Sequence, residues 1–230
     1  MRSSRFGPLT KRLLSVVRVG HAVNVTSATA QQRPGGPDEP STTAARLLEA
    51  AAGAFAAKGF HATTTRDIAS RAGLSPAGVY VHFSSKEQLL HALSAQGHGQ
   101  ALAVVRDAAA TSGSPTDRLA AVMRAFSAWH AEHHAVASVV QYEFPHLTPA
   151  HRDEVLGLRK QIDEVVRDLL REGRADGSMT VDDVRDTALA LMSMCIDVAR
   201  WYSPHIARTP AQIGETYAAL GPRLVGARQH

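Results

Sequence analysis

Ser75, Tyr80, His82 and Lys86 are the side chains whose types and spacing most clearly define a chemistry in this sequence. Two hydroxyls, an imidazole and an ammonium group in one short stretch are suited to hydrogen bonds with phosphate oxygens. The elements that must position them flank a tight turn, Ala72-Gly73-Leu74-Ser75. Thr64 is placed to cap the preceding helix, with Asp67 three positions on in a capping-box pattern. Ile68, Ala69 and Ala72 form a small apolar face that lets a second helix approach. Gly73 falls where the chain leaves the helix and needs positive φ. Leu74 can plug the angle between the helices. Ser75 caps the second helix, Pro76 fits its first position, and Val79 and Phe83 face inward. Ser84 and Glu87 predict a further capping box that starts another helix near Ser85. This is the layout of a helix-turn-helix, whose second helix lies in the major groove of DNA.

The stretch FHATTTRDIASRAGLSPAGVYVHFSSKEQLL resembles the N-terminal domain of TetR-family transcriptional regulators, with the match running from about Ala44 to Leu93. The resemblance implies an all-α homodimer. In it, a three-helix DNA-binding domain precedes a larger, variable domain for ligand binding and dimerisation. It implies a double-stranded DNA operator and a small organic ligand as partners. By motif position it points to Thr65, Ser75, Ala77, Gly78, Tyr80, His82 and Lys86 as DNA-facing, and Arg66 joins them from the local basic set. For Tyr80 and Lys86 the expected contact is phosphate; His82 can instead pack against the turn. Ala77-Gly78 stands where other members often carry a larger or polar residue. Base readout is therefore expected to rest on methyl contacts and DNA shape.

Three regions are expected: residues 1–40 as a disordered basic extension, 41–90 as the DNA-binding domain, and 91–230 as the helical ligand-binding and dimerisation domain. The net charge is +4. Residues 1–40 hold the excess of basic residues and the rest is balanced, so DNA affinity must come from a local patch. Arg46, Lys58, Arg66, Arg71 and Lys86 outnumber Glu49, Asp67 and Glu87 within 41–90. The extension reads either as a solvated tail or as an arm reaching the minor groove. Its partly apolar run from Leu13 to Val25 is interrupted by Arg18, His21 and Asn24, which argues against export and for a cytoplasmic protein. No apolar run approaches the ~20 residues needed to cross a bilayer.

Helix punctuation continues through the second region. Helices are expected over about Thr43–Lys58 (ended by Gly59), Lys86–Ala110, Ser114–His133, His134–Phe144 and from Thr148-Pro149 to Gly173. Two more follow, from Thr180 with Asp183 to about Tyr202, and from Thr209-Pro210 to Gly221-Pro222. The last two carry Leu189, Met192, Ile196, Ala199, Ile213, Tyr217 and Leu220, which fit a four-helix dimer interface or the monomer core. Cys195, the single cysteine, reads as a small core residue. Around His130, His133, His134, His146 and His151 no cysteine pair or Glu-x-x-His arrangement completes a zinc site, so neither metal nor cofactor is expected.

For the ligand, Phe126, Trp129, Tyr142 and Met192 suit an apolar pocket, though any one of them can equally be core. The segment ALMSMCIDVARWYSPHIARTPAQIGETYAAL resembles the C-terminal domain of TetR-type repressors that respond to acyl-CoA thioesters of lipid or sterol breakdown. That resemblance adds Arg200 and Trp201, with Arg159 and Lys160 as further cations for an anionic ligand. The expected function is a repressor released from a palindromic operator by such a ligand. The competing readings are a helical ligand-binding protein without DNA affinity and a thioester-acting enzyme, for which no local nucleophile–base pair is visible.

Overall fold

The computed structural model describes residues 42–227, so the expected N-terminal extension lies outside the described residues. Nine α-helices make up the described chain, and none of its residues is in a strand. Helix α1 spans Thr43–Ala62, capped by Thr42, and Gly59 interrupts it with φ 76° and ψ 168°. The expected stop is therefore a break, after which one further turn reaches Ala62. Thr63 is buried under that turn and donates to Gly59 O and Ala54 O. Helix α2, Thr65–Arg71, begins at the expected Thr64–Asp67 capping box. Gly73 takes φ 68° and turns the chain into α3, Pro76–Tyr80, which Ser75 caps through the Gly78 N–H.

Helix α4, Lys86–Ala109, begins as expected, but its cap is displaced by one residue. Ser85 accepts from Gln88 N, and the Gln88 side chain accepts from Ser84 N. Glu87 cannot take part because its carboxylate accepts instead from Thr148 N and from His151. Helix α5, Pro115–Glu132, uses the expected Ser114–Asp117 box and is followed by α6, His134–Tyr142. A 3-10 turn, Phe144–His146, leads to α7, Pro149–Ala175. Helix α8, Val184–Trp201, is capped by Asp183 rather than Thr180, whose backbone N–H is bonded to Val225 O. Helix α9, Pro210–Leu224, runs past the expected stop at Gly221-Pro222. There Gly221 serves packing: an added Cβ would lie 2.7 Å from Met123 Cγ. Gly226, at φ 62°, follows the true end of the helix.

Two cores hold the helices together. In the head, Leu47, Phe55, Ile68, Val79, Leu89 and Leu90 are sealed from solvent, with Phe83 and Leu74 packed against them. That same core takes in Val136, Val139 and Val140 of α6, with Leu147 and Val155 beyond it. The body core is built from Val105, Leu119, Met123, Phe126, Val166, Leu169, Leu170, Leu191 and Cys195. Cys195 is fully buried there and burial pushes its thiol pKa up, so it packs as a small apolar group. Helices α5 and α9 lie close because Gly214 sits against Arg124 O, where a Cβ would be 2.8 Å away.

Candidate DNA-binding surface and effector cavity

The turn between α2 and α3 presents a polar face. Ser75 at the cap of α3, Ala77 and Tyr80 on it and His82 just after it are exposed, and Arg66 is exposed on α2. Tyr80 is 55% exposed although it closes a helix, and its hydroxyl lies 3.2 Å from the half-buried Thr65 hydroxyl. That bond ties α2 to α3 and fixes the phenol at the surface. Gly78 is not demanded by the fold. A Cβ there would meet only ordinary contacts, 3.6 Å from Ser75 Oγ and 3.7 Å from Leu74 Cβ. Together Ala77 and Gly78 keep the outer face of α3 low, which suits close approach to a groove wall.

Lys86 is placed differently from its expected neighbours. Its ammonium group turns inward, donating to Phe60 O at 2.5 Å and Thr63 O at 2.8 Å. It also sits 4.2 Å from the centre of the Phe60 ring. Desolvation pulls its pKa below the usual lysine value, against the opposing charge of Glu143. Lys86 thus satisfies the carbonyls left open after the Gly59 break, and a phosphate contact would have to compete with those bonds.

A cavity of about 430 Å³ lies in the body between α4, α5, α6, α7 and α8. This is the size of a small-molecule site. Of the residues expected to bind ligand, Phe126, Trp129 and Met192 line it. Tyr142, Arg200 and Trp201 do not; they are exposed, and Arg200 is paired with Asp197 at 2.6 Å. Of the other two cations considered, Arg159 lines the cavity and Lys160 does not. Sequence reasoning missed His98, Gln141, Arg167, Arg185 and Ser193, which also line it. The exposed lining residues Arg185, Leu189 and Ser193 place an opening along α8.

Four of the five histidines singled out in the sequence have their own partners. His130 is buried and its Nδ1–H donates to Phe126 O at 2.9 Å, while burial holds its pKa down to about 4. His134 bonds Ala131 O, His146 faces Glu143, and His151 faces Glu87. Among the described residues, no group of three or more His, Cys, Asp or Glu is arranged to hold a metal ion.

An all-helical chain with a helix-turn-helix head and a cavity-bearing body defines the class of ligand-binding transcriptional regulators. Residues 47–93 match the bacterial regulatory proteins of the tetR family, and residues 112–225 match the tetracyclin repressor-like C-terminal domain. The chain is 32% identical to the HTH-type transcriptional repressor KstR2 of Mycolicibacterium smegmatis, over 80% of this chain and 92% of that protein. A TetR-family regulatory protein from Rhodococcus RHA1 superposes with a TM-score of 0.78 at 38% identity, covering 83% of this chain and all of the other. The ketosteroid transcriptional regulator KstR2 of Mycobacterium tuberculosis superposes with a TM-score of 0.74 at 29% identity, over 84% and 98% of the two chains. The chain belongs to the TetR family of transcriptional regulators. It is a DNA-binding regulator, not a thioester-acting enzyme. No helix among the described residues is long and apolar enough to cross a membrane.

Proposed function

We propose that the chain is a cytoplasmic, homodimeric repressor that leaves a palindromic operator when a small organic ligand enters the body cavity. The observation that carries this reading is the double role of α6. Ala137, Val140 and Gln141 form one wall of the cavity, while Val136, Val139 and Val140 are part of the head core. Val140 belongs to both. The end of α6 is also tied to the Gly59 break, because Glu143 accepts from Phe60 N at 3.1 Å. A ligand that shifts α6 must therefore move the floor on which α1 rests. If it binds the shifted state better, it lowers the population able to place both heads on DNA.

In the proposed dimer, α8 and α9 of two copies pack together. Leu220 and Leu224 are exposed on α9, side by side one turn apart, which suits burial against a second copy. To read half-sites one DNA turn apart, such a two-fold dimer would hold its recognition helices about 34–36 Å apart. Ser75, Tyr80 and His82 supply contacts to phosphate, with Thr65 orienting Tyr80, Arg66 adding charge, and Ala77 and Gly78 meeting the groove. The ligand we favour is a CoA thioester or related acid from lipid or sterol breakdown. The apolar lining of Phe126, Trp129, Ile162 and Met192 suits the hydrocarbon, and Arg167 and Arg185 suit anionic groups at the opening. The KstR2 relatives, named as a repressor and as a ketosteroid regulator, support that direction.

A mobility-shift titration on duplex DNA flanking the gene tests the reading. Retardation by the protein, reversed by an acyl-CoA or a steroid-acid thioester, is expected. Retardation that no such thioester or its free acid reverses refutes ligand release.

A further inference from the structure

Arg159 is a half-buried cation on the cavity wall with only neutral partners. Its Nε donates to His98 Nε2 at 3.0 Å and its Nη2 to Gln141 Oε1 at 3.3 Å. Its guanidinium lies 4.3 Å from the centre of the Phe144 ring. No carboxylate comes within ion-pair distance of it among the described residues; Asp163, which also lines the cavity, is taken by Arg167 at 2.6 Å. Because an arginine Nε–H can only donate, His98 Nε2 must be unprotonated. The ring proton is then on Nδ1, which donates to Ser94 O at 2.7 Å. Burial, with the Arg159 charge adding to it, holds the His98 pKa down to about 4. The imidazole is thus a neutral acceptor that orients the guanidinium. Desolvation also lowers the Arg159 pKa, so the fold bears the cost of a cation that lacks a counter-ion.

We infer that the cavity takes a ligand with an apolar body and a carboxylate, and that the carboxylate seats on Arg159. This rests on the reading of the cavity as the effector site. A planar guanidinium held by His98 and Gln141 fits a planar monoanion. A phosphate monoester, with a charge of about −1.5 to −2, would leave charge uncompensated beside Asp163. Two sources supply the same chemistry: a free carboxylic acid, or a CoA thioester of a dicarboxylic acid whose second carboxylate enters the cavity.

Isothermal titration of the full chain without DNA tests the inference. The probes are decanoate, decanol, decanoyl-CoA and the mono-CoA thioester of decanedioic acid. Decanoate should bind on the order of tenfold or more tighter than decanol, as expected for a hydrogen-bonded charge pair. Arg159→Met should bring the acid to the level of the alcohol while leaving the alcohol unchanged, which also shows that the cavity is intact. Arg159→Lys keeps the charge but loses the fork, and should weaken the acid alone; it decides the matter if the Met variant does not fold. Preference for the decanedioic thioester over both decanoate and decanoyl-CoA identifies the thioester as the source, and preference for decanoate identifies the free acid. Equal binding of acid and alcohol, no binding of any acid, or an acid preference that survives Arg159→Met overturns the inference. An acid that binds through Arg159 yet leaves DNA bound upholds it and refutes ligand release instead.

Discussion

Lowering the pH should destabilise this protein in a window set chiefly by two buried histidines, with His133, whose pKa burial also lowers, adding in the same sense. His98 and His130 titrate near 4 in the fold, against 6.5 for an ordinary imidazole. Burial is the main cause in both; the Arg159 charge adds to it for His98, and coupling to the neighbouring His98 and His133 adds to it for His130. The unfolded chain therefore binds protons more readily as the pH falls below 6.5. Stability that is fully present above that value is lost progressively down to about 4. By linkage, each histidine removes about 1–2 kcal/mol at about pH 5.5, which comes to about 3 kcal/mol for the pair. Thermal midpoints of chains this size move by roughly 2–4 °C per kcal/mol, so the drop between about pH 7.5 and pH 5.5 should be roughly 6–12 °C. Glu87, Asp67 and Asp117 have depressed pKa values, so their contributions are lost only below the ordinary carboxylate range and fall outside this window. Glu49, raised by burial, acts in the opposite sense and trims the effect. Differential scanning fluorimetry across that range measures it directly. The double variant His98→Gln, His130→Gln should lose most of the drop. An unchanged midpoint in the native chain, or a full drop in the variant, would refute the reasoning.

Other expected outcomes concern the head and the dimer. Gly78→Ala should leave stability unchanged or raise it by up to about 1 kcal/mol through helix propensity, yet weaken operator binding because the methyl group intrudes on the groove. Unaltered affinity in a gel-shift series would remove Gly78 from the contact surface. Lys86→Met should destabilise the fold by about 1–3 kcal/mol, because Phe60 O and Thr63 O lose a charged donor. Its DNA affinity should keep the native salt dependence; a slope reduced by about one would instead mark a phosphate contact. Leu220→Asp with Leu224→Asp should shift the protein to monomer in sedimentation velocity and weaken operator binding, and a dimer that persists would place the interface elsewhere.

Local chemistry was the most legible part of the sequence. Thr64 with Asp67, Ser75 with Pro76 and Ser114 with Asp117 announce their helices because a cap and its partner are near neighbours in sequence. Gly73 is readable for the same reason, since the turn needs positive φ at that residue. Errors arose where a distant group competes for a local one. Glu87 reads as a cap residue but is claimed by Thr148 and His151 from α7. Gly221-Pro222 reads as a stop, whereas Gly221 is needed for contact with Met123 across a helix pair. The cavity shows the limit most clearly. Phe126, Trp129 and Met192 were recoverable as large apolar side chains on helices of the body. Tyr142, Trp201 and Arg200 look equally suitable by type, but α6 turns Tyr142 away from the cavity, and Arg200 and Trp201 lie at the end of α8 beyond the last lining residue, Ile196. The pairing of Arg159 with His98 joins α7 to α4, and no local pattern encodes it.

Fluorescence anisotropy of labelled duplexes tiled across the DNA flanking the gene, titrated with the full-length protein at increasing salt, is the most direct test. One tile should bind as a dimer far more tightly than the rest, with affinity falling steeply as salt rises and counterions are no longer released so favourably. Equal, salt-insensitive affinity for every duplex would contradict the assignment of α3 as a DNA-reading helix.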